Sequence, residues 1–376
     1  MKTILQKLML RNQYKTGEYR LRILWKYSRF LCISSLIALL VFDSEAMHSL
    51  LKQQEFSPYL EESNNKTRAK ENNEKEEQEE IIFAVEEPYE DSSETKDEME
   101  YLYSPYMISV DLESGEVLAE HNARDRIYPA SLTKIMTAVL AIENTENMDE
   151  VITLSSDIFQ NLYEENASVA GFELDETVRL QDLLYGILLP SGAECCLAFA
   201  DRIAGSEETF VELMNRKAES LGMENTHFCN VTGLQNPDHY STAKDISILL
   251  QHALKNGSFK EAFTCRSYTT TPSKQHPEGI TFYSTMFEKL GDAEVIGGEI
   301  LGGKTGYTTQ AGLCLASLAR LGEKEYILVT AKAEGDQQTE PFHILDAKNA
   351  YARIYMRMLI RSMVTDFSEK SMEKEL

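Results

Sequence analysis

The sequence lacks the patterns that metal, thiol and nucleic-acid chemistry require. Its seven histidines include no His-x-His and no His-Glu-x-x-His, and the nearest histidine–cysteine pair is His227 and Cys229 in THFCN, which reads as a strand. A zinc site needs three or four converging ligands, so no metal and no other cofactor is expected. The six cysteines form no Cys-x-x-Cys. Cys32 falls in an apolar N-terminal run, which leaves five, an odd number that excludes a complete disulfide framework. One pair, for instance Cys229 with Cys265, stays open. The adjacent Cys195 and Cys196 read as small buried hydrophobes. Positive charge is also scarce: the net charge is −24, whereas phosphate binding needs a basic face, so nucleic acid is not an expected partner. No internal repeat is visible. No apolar run is long enough to span a bilayer squarely. The longest, Phe30 to Phe42, has thirteen residues, about 20 Å of helix against a hydrocarbon core of about 30 Å.

What is present is organised in blocks. Residues 1–29 hold eight Lys/Arg against one acid, a net +7, which leaves −31 for the remainder. A basic segment followed by a short apolar run reads as an export signal, cleaved near Ser44–Ala46 or retained as an anchor. Residues 1–47 are therefore expected to direct the chain across the membrane, with its bulk on the outer side. Residues 48–100 are acidic and polar. From Glu61 to Glu100 there are sixteen acids and five bases, too little apolar surface to offset ordering entropy, so a disordered linker is expected.

From Tyr101 the pattern becomes that of a folded domain, expected over 101–364 with a charged tail at 365–376. YMISVDLESGEVLAEHN predicts a hairpin. Helices follow in ASLTKIMTAVLAIEN, VRLQDLLYGILL, ECCLAFADRIAG (ending at Gly205), SEETFVELMNRKAESLGM (opened by Ser206) and STAKDISILLQHAL (capped by Ser241 or Thr242). Strands return in EILGGKTGYTT, GLCLASLAR and EYILVTAKAEG, before a last long helix from Pro341. Helices bracketed by strands from both ends predict an α+β fold, an antiparallel sheet with a segregated helical subdomain.

Three short motifs carry the chemistry. In SLTK, Ser131 and Lys134 are three residues apart on one helical face. Serine needs a base, and lysine can be one where burial lowers its pKa. The spacing alone is weak, because Ser-x-x-Lys occurs six times, beginning at Ser49, Ser63, Ser93, Ser131, Ser241 and Ser371. Ser131 is singled out by opening a strongly apolar helix. Ser191 lies in a turn after Pro190, where an N-cap serine is the competing reading. Lys304, Thr305 and Gly306, with Tyr307 and Thr308, offer a cation, hydroxyls and an approachable backbone, which suit a peptide carboxylate at a strand edge.

The order Ser-x-x-Lys, Ser-containing turn, Lys-Thr-Gly is that of the penicillin-binding proteins and class A β-lactamases. With their flanks, YPASLTKIMTAVLA, LLYGILLPSGAE, HYSTAKDIS and GGKTGYTTQAGLCLA resemble the serine D-alanyl-D-alanine carboxypeptidases, the low-molecular-mass penicillin-binding proteins, from about Tyr101 to about Arg361. The resemblance implies a β-lactamase/transpeptidase-like fold. It implies Ser131 as nucleophile toward a peptidoglycan stem peptide ending in D-Ala-D-Ala, Lys134 as its base and Ser191 as proton relay. The oxyanion would lie between the amides of Ser131 and Tyr307, and Lys304, Thr305 and Thr308 would bind the carboxylate. β-Lactams would acylate Ser131. The chain departs from the pattern at Ala193, where the family usually has Asn. It also has an acidic tether, and its C-terminus (FSEKSMEKEL) is too charged to anchor, which leaves the N-terminal segment for membrane association. A β-lactamase is opposed by the lack of Glu-x-x-Leu-Asn between Ser131 and Lys304. A sensor that binds without turnover is the reading Ala193 favours.

Overall fold

The computed structural model describes residues 102–375, apart from 161 and 163–165, with side chains through residue 362. The N-terminal signal and the acidic linker lie outside the described residues. The chain enters a hairpin of β1 (Tyr106–Asp111) and β2 (Val117–His121). The Asp111 carboxylate tightens its turn by accepting the Glu113 and Ser114 amides, both at 3.0 Å. A 3-10 turn, Ala130–Thr133, leads into α1 (Lys134–Glu143). A short ribbon of β3 (Val151–Thr153) and β4 (Thr177–Arg179) precedes α2 (Leu180–Leu188), α3 (Ala193–Ala204) and α4 (Glu207–Leu221). After α5 (Ala243–Ala253) and α6 (Gly257–Thr264) come a second ribbon, β5 (Ser267–Thr269) with β6 (Thr281–Tyr283), and α7 (Thr285–Leu290). The chain closes with β7 (Glu294–Val295), β8 (Gly298–Thr308), β9 (Gly312–Leu321), β10 (Lys324–Ala333) and α8 (Phe342–Glu375).

The main sheet is antiparallel, in the order β2–β1–β10–β9–β8–β7, so the first hairpin docks on the last strands through β1–β10 pairing. Both faces are covered, which is why its central strands are almost continuously apolar. Leu315, Ala319 and Leu321 of β9, with Tyr326 and Leu328 of β10, meet Ile344, Ala347, Tyr351 and Ile354 of α8. Their alternates Cys314, Ala316, Leu318, Ile327, Val329 and Ala331 face the other way, into the core built with α1 to α6. A one-residue slip would exchange the two sets, so burial fixes the register. At the centre of the helical core, α1 is buried over Lys134–Ala141. Apolar residues on every side predict a central helix, and Lys134 is carried into the dry interior by it.

The expected hairpin, α+β layering and caps are present. Ser206 accepts the Thr209 amide and Thr242, not Ser241, accepts the Asp245 amide. Two expectations are corrected, one open question is settled and one helix runs longer than expected. Val178 and Arg179 belong to β4 and not to the following helix. THFCN is no strand: it is irregular, with an isolated bridge between His227 and Tyr240. The open question of a Cys229–Cys265 pair is answered, since both are free, as are Cys195, Cys196 and Cys314. The last helix continues to Glu375 through the segment expected as a tail. Among the described residues there is no cluster of three or more metal-capable side chains, and no helix is long and apolar enough to cross a membrane.

Candidate active site

The first motif sits on the 3-10 turn. Side chains at i and i+3 eclipse in that geometry, so Ser131 and Lys134 are closer than on an α-helix. Lys134 Nζ donates to Ser131 Oγ at 3.2 Å, and a second Nζ–H donates to Ser191 Oγ at 3.2 Å. Two serines 60 residues apart thus share one amine. The two serine-bearing turns are held in costly backbone conformations. Ala130, just before Ser131, has φ 47°, and Ser191 has φ 71°. Non-glycine residues there cost on the order of 1–3 kcal/mol each and persist where the surroundings hold them. Gly233 (φ 84°) is one such support: a Cβ at that position would collide with the Ala130 carbonyl oxygen. Behind the turn, Cys229 N–H donates to His239 Nδ1 at 3.1 Å, which leaves Nε2–H to donate to Thr133 Oγ1 at 2.8 Å. Burial pushes His239 down to about 4, so it is a neutral strut.

The electrostatics follow from burial. The Lys134 amine is pushed below the lysine range by loss of water, opposed in smaller measure by Cys196 and Glu194. Lys304 is fully enclosed and is pushed further down by burial and by the charge on Lys134. Two ammonium ions cannot both be held here cheaply, so the pair titrates as a unit. Lys304 is not at the cleft surface, and its Nζ donates to the Thr305 carbonyl at 2.9 Å. Thr305 Oγ1 shares a hydrogen bond with Thr285 Oγ1 at 2.8 Å. Of the third motif, Tyr307 and Thr308 line the cleft.

That cleft, about 420 Å³, has Ser131, Lys134 and Ala193 on its floor. One wall is the segment Thr232–Gln235, another is Asn166–Ser168, and the mouth carries Thr309, Gln310 and Gln337. Among the described residues β7 pairs with β8 only at Gly298 and Glu299, and no further strand lies on that outer edge. The strand runs close past Ser131: a Cβ on Gly306 would lie 3.1 Å from both Pro129 O and Ser131 N. Thr308 Oγ1 donates to Gln235 Oε1 at 3.2 Å and accepts the Ala311 amide at 3.0 Å.

Sequence reasoning missed several residues that shape this cleft. Gln235, Gln337 and Asn166 carry no motif, and only tertiary folding brings them to it. Glu194 had a signal, an acid in an otherwise apolar helical run. It is fully enclosed, and its Oε1 accepts the amides of Ala170 at 2.6 Å and Gly171 at 2.9 Å. With Ala193 N–H donating to Ser168 O at 2.8 Å, it ties the Asn166–Ser168 wall to the start of α3. Burial raises its carboxyl above the usual range. The cysteines beside it are packing. Burial pushes Cys196 up to about 12 and Cys195 well above the thiol range, so neither is a thiolate at neutral pH.

The constellation has known counterparts. A family model described as D-alanyl-D-alanine carboxypeptidase matches residues 93–335. The D-alanyl-D-alanine carboxypeptidase DacF of Bacillus subtilis is 34% identical over 226 residues, 59% of this chain and 55% of that protein. DacC of Escherichia coli is 32% identical over 237 residues, 61% of this chain and 56% of that protein. The chain thus spans about half the length of these relatives. A point mutant of the Streptomyces K15 DD-transpeptidase superposes with a TM-score of 0.60 at 26% identity, covering 68% of this chain and 97% of that one. Motif order, the shared amine of Lys134 and a family match over most of the described domain agree: the chain belongs to the D-alanyl-D-alanine carboxypeptidase family.

Proposed function

We propose that the protein is a serine-type D-Ala-D-Ala carboxypeptidase that removes the terminal D-alanine from peptidoglycan stem peptides. The observation that carries this is one buried amine, Lys134 Nζ, that hydrogen-bonds at 3.2 Å to both Ser131 Oγ and Ser191 Oγ. An amine whose pKa burial lowers can take the Ser131 proton as Oγ attacks the carbonyl between the two D-alanines. The charge that develops on the carbonyl oxygen would be met by the Ser131 and Tyr307 amides, since β8 passes next to Ser131 N. The proton then moves from Lys134 through Ser191 to the leaving nitrogen, and D-alanine departs. Water hydrolyses the ester and restores Ser131.

The substrate backbone would lie along the unpaired edge of β8 as an added strand. Its carboxylate would sit at Thr308, with Tyr307 beside it. Thr308 must first release Gln235, whose amide can then rotate to donate to the same carboxylate. Lys304, Thr305 and Gly306 support this from behind through the shape of the strand, with Lys304 Nζ donating to the Thr305 carbonyl. A β-lactam presents a carbonyl and a carboxylate in a similar relation and would acylate Ser131. Such a substrate places the domain on the outer side of a bacterial membrane. An N-terminal segment that exports or anchors the chain fits that location, and fractionation of cells expressing the full chain checks it.

A second reading is favoured by Ala193, which offers no amide where the family usually has one: a protein that is acylated but barely turns over. The two separate on D-alanine release. Purified protein and a defined pentapeptide should yield free D-alanine at catalytic turnover. A single stoichiometric acylation with no further release would establish the sensor.

A further inference from the structure

Two depressions flank the cleft, and they differ in charge. Beyond the Thr232–Gln235 wall lies an acidic groove with Asp157, Asp201, Glu207 and Glu208. At the opposite end, beside the β8–β9 turn, is a pocket of about 310 Å³ that bears Arg126 and Lys332, and no acid lines it. Gln310, two residues after Thr308, lines both this pocket and the cleft that holds Ser131. Whatever seats in the pocket therefore lies next to the place proposed for the substrate carboxylate.

Aromatic rings hold the two cations. The Arg126 guanidinium lies over the Tyr240 ring, 3.9 Å from its centre, and the Lys332 amine lies 5.9 Å from the centre of the Tyr106 ring. Among the described residues neither cation forms an ion pair. Tyr106 opens β1 and pairs with Ala331, so the pocket adjoins the point where the chain enters the domain. That entry is pinned, because the Asp346 carboxylate accepts the amides of Tyr103 at 2.9 Å and Ser104 at 2.8 Å. Just ahead of it, residues 86–100 carry eight acids against one base, Lys96. Asp97 stands nine residues before Tyr106, at most about 30 Å of chain. A group on so short a connection meets the pocket at an effective concentration on the order of millimolar, so weak pairings suffice to seat it.

We propose that the acidic segment 86–100 seats its carboxylates on the Arg126–Lys332 pocket of its own chain and, from there, inhibits the cleft. Charge complementarity selects the place, since the groove on the other side of the cleft is acidic and repels the same segment. A seated segment brings more carboxylates than two cations can pair. The excess stands beside Gln310 and opposes the arrival of the substrate's carboxylate over the ~8 Å in which charges are felt at physiological salt. The pairings are exposed, so salt loosens them and frees the cleft. The inhibition rests on the function proposed above; the contact between segment and pocket does not.

The full chain carries the test, in two arms. In the first, a zero-length carbodiimide joins carboxylates to amines in contact, and the products are mapped by mass spectrometry. At low salt Lys332 should be joined to an acid of residues 86–100 within one chain, and high salt should suppress the product. The second arm times acylation by an anionic β-lactam. Neutralising the four nearest acids, by Glu94→Gln, Asp97→Asn, Glu98→Gln and Glu100→Gln together, should speed acylation about threefold at low salt, each exposed pairing being weak. In a background of Arg126→Gln and Lys332→Asn that gain should vanish; Asn tolerates the left-handed backbone at position 332, where φ is 63°. A gain that survives loss of the two cations would overturn the proposal. So would absence of the Lys332 product, or a product formed only between chains in a mixture of isotopically labelled and unlabelled protein. A protein that penicillin never labels would instead refute the reading of Ser131, and the cross-link would still decide the contact.

Discussion

At the residue scale, the site depends on what burial does to Lys134. Its pKa is lowered, so the neutral base is populated at a pH where an exposed lysine is almost wholly charged. Acylation by a β-lactam should rise with pH along a limb set by that lowered pKa and flatten above it. A stopped-flow pH profile of acylation checks this, and a limb at the ordinary lysine pKa would contradict it. Ala193→Asn adds the amide that the site lacks. One such hydrogen bond is worth about 0.5–1.5 kcal/mol, so turnover should rise by up to about tenfold if the amide reaches substrate. Glu194→Gln keeps the acceptor for Ala170 and Gly171, whereas Glu194→Ala leaves two amides without their acceptor. Activity should survive the first change and fall sharply in the second, with the fold retained by circular dichroism.

At the scale of elements, much was legible. Ser131 and Lys134 could be paired because a periodic apolar helix announces its own start, and Lys304–Thr308 because alternation marks a strand. The competing N-cap reading of Ser191 fails on geometry: Gly192 is the N-cap of α3, and the Ser191 hydroxyl accepts from Lys134. Three-residue ribbons such as β3 and β4 were illegible, since so few residues carry no period. The Asn166–Ser168 and Thr232–Gln235 walls were illegible for a different reason: their place depends on long-range contacts such as Glu194 to Gly171. Gly233 shows how closely these elements meet. Gly233→Ala forces a Cβ into the Ala130 carbonyl at an unfavourable φ, so it should displace the turn that carries Ser131. Penicillin acylation is expected to drop at least tenfold while the thermal midpoint falls by a few degrees.

At the scale of the whole molecule, buried neutral groups set the response to acid. His239 and His343 are each pushed down to about 4 by burial, whereas in the unfolded chain they titrate near 6.5. Their folded pKa lies below the unfolded one. Their contribution is therefore present above about pH 6.5 and is lost as pH falls toward 4, roughly 3 kcal/mol at most for each. Glu194 and Asp346, raised by burial, act in the opposite sense, so the histidine share has to be isolated by substitution. His343 Nδ1 has no partner among the described residues, so His343→Leu should narrow the stability difference between pH 7 and pH 5 in urea melts. An unchanged difference would show that His343 is not neutral in the fold.

The central claim is that Ser131, served by Lys134, is the nucleophile. Its most direct test is covalent labelling by a fluorescent penicillin of the full chain and of two variants, followed by mapping of the adduct. The account predicts one adduct on Ser131, full labelling of Ser241→Ala and none of Ser131→Ala. Labelling that survives Ser131→Ala, or an adduct mapped to any other residue, would contradict it.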